Sequence, residues 1–128
     1  MIRIKHSFVL AIILSLVACS KKENGDKDVT LPVITIVSPQ NNQLFNAGDA
    51  IETTATATDN DKVTELHIHV INKSTGDLLR DIHSYPGKPT GTVEDSFPAQ
   101  AGIIYIIQII AKDPAQNTAT AKVEVSVN

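Results

Sequence analysis

Cysteine is almost absent from this chain. Its 128 residues contain one, Cys19, so no disulfide can close within the molecule and any fold must be held by its core. Tryptophan is missing and aromatic residues make up 4%, which leaves an aliphatic core. No apolar run approaches the roughly 20 residues that a bilayer-spanning helix needs. Phe8–Val17 is ten residues long and interrupted by Ser15, and Ile103–Ile110 is shorter and β-branched, as a strand would be. No stretch sustains a helical period. Gly-x-Ser-x-Gly, His-Glu-x-x-His and a Gly-rich phosphate loop are all lacking, and a glycosidase would need two carboxylates across a cleft. The expectation is a protein that is not an enzyme.

What is present begins with a targeting pattern. Arg3, Lys5 and His6 form a basic start, Phe8–Val17 an apolar centre, and Leu16-Val17-Ala18-Cys19 the end. That tetrapeptide resembles the bacterial lipobox, in which small side chains admit the peptidase and the thiol accepts a diacylglyceryl group. Residues 1–18 are expected to be a removed signal peptide and Cys19 the lipidation site. Each buried methylene adds about 0.8 kcal/mol, and two or three chains hold a protein to a membrane. Cleavage removes Arg3 and Lys5. Nine Lys and Arg then face 14 Asp and Glu, a formal net charge of −5. Such a domain has no basic footprint for nucleic acid. The expected location is the cell envelope, at the outer membrane, periplasmic or surface-exposed.

Residues 20–28 (SKKENGDKD) have nothing apolar to bury. Residues 19–30 therefore read as lipidated cysteine and flexible linker, and residues 31–128 as the folded domain. There the pattern becomes short alternating segments: Val33–Val37, Ile51–Thr58, Val63–Val70, Leu78–His83, Thr92–Phe97, Ile103–Lys112 and Thr118–Val127. Turn residues separate them at 47–49, 59–61, 74–77, 86–87 and 113–114. About seven short strands at this spacing predict an all-β, antiparallel sandwich of the immunoglobulin-like kind.

Particular residues add a resemblance. Pro32-Val33-Ile34-Thr35-Ile36-Val37-Ser38-Pro39 resembles the opening strand of bacterial immunoglobulin-like domains. Ala55–Asn60, Val63–Leu66, Gly102-Ile103-Ile104-Tyr105, Ala111-Lys112-Asp113 and Asn117 are similar to that family's later motifs, with Gln116 where the family has glycine. A narrower similarity is to Bacteroidetes-type lipoproteins of unknown function. These carry a histidine where His69 stands, and after it an insertion that residues 71–76 lack. The resemblance implies that Tyr105, Ile107, Ile109 and Ala111 point inward, with Tyr105 as a tyrosine corner. It also implies that the loops near residues 59 and 113 share a pole.

Three constellations could carry function. Asp59, Asp61, Asp113 and Asn117 offer hard oxygens for calcium, although Asp and Asn also cap turns. No other cofactor is implied. His67 and His69 share a strand face, and His83 could join them as metal ligands, although exposed strand histidines need no metal. Ile104, Ile106, Ile110 and Ile71 point outward and would form an interaction face for a protein or glycan, unless the linker or residues 84–91 cover it. The first reading is thus a membrane-anchored interaction module. The alternatives are a structural or calcium-stabilised accessory or spacer domain, and metal binding through the His-x-His strand.

Overall fold

A computed structural model describes residues 25–128. The signal segment, Cys19 and the start of the linker lie outside the described residues. Among the described residues there are eight strands and no helix: β1 (Val33–Ser38), β2 (Gln43–Phe45), β3 (Ala50–Val63), β4 (Glu65–Asn72), β5 (Leu78–Ser84), β6 (Lys88–Pro98), β7 (Ile104–Lys112) and β8 (Thr118–Val127). They form a three-stranded sheet, β1-β3-β6, and a five-stranded sheet, β2-β8-β7-β4-β5. The all-β sandwich is as expected.

The alternation that marked each strand also packs it. One face of β3 contributes Ile51, Thr53, Ala55 and Ala57; β4 contributes Leu66, Ile68 and Val70; β7 contributes Tyr105, Ile107, Ile109 and Ala111. All are buried, and Val93, Phe97, Val125 and Val127 complete the core. Fully burying one such aliphatic side chain stabilises by about 1.5–3 kcal/mol. The Tyr105 ring meets Phe97 edge-on at 5.2 Å. Its hydroxyl accepts the backbone N–H of Gln100 at 3.2 Å, which is a tyrosine corner.

β6 begins at Lys88 where the sequence reading began at Thr92, and the boundaries differ more deeply in two other places. First, the stretch around residues 40–45 holds an extra strand, so there are eight strands where about seven were expected. Pro39 has no N–H to extend β1. The chain crosses to the other sheet, where the Asn42 N–H reaches the Glu124 carbonyl at 2.7 Å and β2 lies parallel to the end of β8. Second, β3 does not stop at Thr58. It runs on through Asp59-Asn60-Asp61 to Val63, with a register shift between Thr58 and Val63. The residues that read as a turn form a bulged strand extension instead, and Val63 re-enters the core fully buried.

One polar contact ties the two sheets together at their open edge. Arg80 on β5 donates to Asp95 on β6 through Nε at 2.6 Å and Nη2 at 2.7 Å. Its guanidinium lies 5.6 Å above the Phe97 ring. Asp95 is nearly enclosed, and Asp95 holds the Arg80 pKa above its ordinary value.

Candidate functional site

The pole where β3 ends and β7 leaves collects acidic side chains. Asp113 is fully buried. Its Oδ1 accepts the Asn117 backbone N–H at 2.8 Å and its Oδ2 the Asn117 Nδ2 at 2.7 Å. These bonds close the turn from 113 to 117, in which Gln116 adopts a φ of 69°. Asp59 Oδ2 accepts the Asp61 N–H at 2.9 Å, while Asp59 Oδ1 is shielded from solvent and meets no donor. Asp28 completes the group. It accepts Thr30 N–H at 2.8 Å and Asn60 Nδ2 at 3.1 Å, and its own carbonyl accepts Asn117 Nδ2 at 2.9 Å. The Thr30 N–H and then Asn60 hold the Asp28 carboxyl below its ordinary pKa.

One carboxylate oxygen from each of Asp28, Asp59 and Asp113 lies within 4.8 Å of the others. That span is about twice a calcium–oxygen distance. Among the described residues, none of the three forms an ion pair. The expected pole therefore brings Asp59 and Asp113 together. Asp61 stays exposed and supplies only its backbone N–H. Asn117 turns its amide nitrogen to the group as a donor. Asp28 was missed, because it sits in a stretch with no apolar pattern. The signal that could have found it is topological, since the chain entering β1 starts at this pole.

The second constellation lies on the outer face of the five-stranded sheet. Register sets His67 opposite His83 and His69 opposite Asp81. The His67 and His83 rings are 4.1 Å apart. Asp81 Oδ1 lies 2.9 Å from His83 Nε2 and 3.2 Å from His69 Nε2. Glu65 Oε2 lies 3.2 Å from both His67 Nε2 and Lys112 Nζ. Burial, then the neighbouring charge of His83, lowers the His67 pKa. Burial would raise the Asp81 pKa, but His83 and His69 outweigh it and the net shift is downward. The sequence pointed to His67 and His69, with His83 able to join. The structure adds Asp81 as the carboxylate they share.

The expected isoleucine face is on the same surface, because β4 and β7 are neighbours. Ile71 pairs with Ile106, and His67 with Ile110. Ile71, Ile106 and Ile110 are half-buried against their neighbours, and Ile104 is 39% exposed. Of residues 84–91, Lys88–Gly91 belong to β6 of the other sheet, while the Tyr85 ring stacks on His83 at 6.3 Å. The result is a mixed surface: Tyr85, 70% exposed, stands at one end, Ile104 at the other, with histidines, Gln108 and Lys122 between.

Residues 32–85, from β1 to the end of β5, match the family model described as bacterial Ig domain. The folded part has an immunoglobulin-like β-sandwich fold. Among solved structures it is similar to the fibronectin(III)-like modules of Clostridium thermocellum CbhA, with a TM-score of 0.55 and 22% identity over 78% of this chain and 48% of that one. It spans about half the length of that chain. It is also similar to the superoxide reductase (neelaredoxin) of Ignicoccus hospitalis, with a TM-score of 0.53 and 13% identity over 77% of this chain and 81% of that one. At these identities the likeness concerns the fold. None of the curated proteins matches the chain.

Proposed function

We propose that this is a lipid-anchored, non-enzymatic protein of the cell envelope. Its immunoglobulin-like domain engages a protein or glycan partner through the outer face of the five-stranded sheet. The observation that supports this most is that face itself. It carries an exposed aromatic and an exposed isoleucine at opposite ends, with hydrogen-bonding side chains between. Apolar anchors set among polar groups are the composition of a protein interface. The anchor rests on the Leu16-Val17-Ala18-Cys19 pattern. Cys19→Ala should abolish fatty-acid labelling and release the protein from the membrane fraction. A lipidated Tyr85→Lys, Ile104→Lys variant should melt like the parent yet lose the parent's cross-linked envelope complexes. Unchanged complexes would contradict the reading.

A second reading is favoured by the pole. Three carboxylates converge there, one fully buried and one with a shielded oxygen that meets no donor. Calcium would neutralise them, and the domain would then be a calcium-stabilised accessory or spacer module. Millimolar calcium should raise the melting temperature of the parent and leave Asp59→Asn unchanged. An unmoved parent would remove this reading.

A further inference from the structure

We propose that His67, Asp81 and His83 form a binding site for a divalent first-row transition-metal ion on the outer sheet face. The site is independent of the acidic pole. Two imidazoles and one carboxylate are the donors that zinc and its neighbours prefer, whereas calcium takes oxygen alone. The backbone fixes their meeting. His67 and His83 are direct cross-strand partners, and Asp81 is two residues before His83 on the same face. A ring nitrogen of each histidine and a carboxylate oxygen of Asp81 lie within 4.8 Å of one another. Ligands of a tetrahedral zinc at about 2.0–2.1 Å sit roughly 3.3 Å apart. Closing that difference asks for rotation of the side chains.

Two further observations point to a cation here. His67 Nε2 is shielded from solvent and makes no hydrogen bond, although Glu65 Oε2 lies 3.2 Å away. A nitrogen buried in this way costs free energy until it finds a partner. Asp81, for its part, is within ion-pair distance only of His69 and His83 among the described residues, while Glu65 already has Lys112. The surroundings also suit a metal. His69 lies 3.2 Å from Asp81, so the carboxylate has a neighbour that can orient it.

The test uses the full chain without a polyhistidine tag, stripped with a chelator and titrated calorimetrically with zinc chloride. The expected result is one zinc per chain with a Kd tighter than about 100 μM. Asp81→Asn and His83→Gln should each weaken it at least tenfold, since even changing an outer partner of a metal ligand costs about 10–100-fold. Both side chains are about two-fifths exposed, so both variants should melt like the metal-free parent. Asp113→Asn, at the other site, should keep the parent's zinc affinity. A parent Kd weaker than about 100 μM would overturn the proposal. So would a loss of less than tenfold in both variants, because zinc would then be held elsewhere on the chain.

Discussion

Gln116 shows how a single residue can be readable in kind but not in place. The sequence marks it as the one departure from a glycine-bearing turn motif, and the structure gives it a φ of 69°. A side chain there costs about 1–2 kcal/mol, against the 0.5–1 kcal/mol of chain entropy that glycine would lose on folding. Gln116→Gly should therefore raise stability by about 0.5–1 kcal/mol in urea denaturation, and a loss of stability would show that the Gln116 side chain has an unseen role. Asp113 is the opposite case. Turn chemistry and ion binding were both open in the sequence, and the structure shows the turn chemistry in full, with both oxygens bonded to Asn117. Asp113→Ala should destabilise by about 2–3 kcal/mol, since two donors in a closed turn lose their acceptor. Asp28 could not be read from composition at all, because its place depends on bonds to residues 32 and 89 positions away.

At the scale of elements, the strands with clean alternation were legible and the irregular ones were not. β4, β7 and β8 were placed to within two residues because burial on one face enforces a period of two. The extension of β3 past Thr58 was hidden, because Asp and Asn favour turns locally while pairing to β6 resumes at Val63. The short β2 was hidden because three residues carry no period. The same contrast between faces predicts unequal costs on β7. Ile109→Ala, fully buried, should cost about 2–5 kcal/mol, whereas Ile106→Ala on the half-exposed face should cost about 1 kcal/mol. Equal costs in denaturant titrations would mean that the outer face is as enclosed as the core. The inter-sheet clamp belongs to this scale as well. Arg80→Ala strands a nearly enclosed Asp95, and because the guanidinium is itself over a third exposed, the loss should be about 1–2 kcal/mol.

For the whole molecule, the two ends of the sandwich differ in composition. The chain enters at the acidic pole, where the Asp28 carbonyl is bound by Asn117, and ends at the other, where the Asn128 N–H donates to the Phe45 carbonyl. Asp28 lies nine positions after Cys19, a reach of at most about 30 Å. Under the proposed lipid attachment at Cys19, the tether would leave from the acidic pole, and the outer face of the five-stranded sheet would remain accessible to the side. The most direct measurement is photo-cross-linking in intact cells, with the reactive group at Ile104 on that face or at Thr54 on the other sheet. A discrete adduct from position 104 and none from position 54 is the expected result. Adducts from position 54 alone, or from neither position, would contradict the assignment of the working surface.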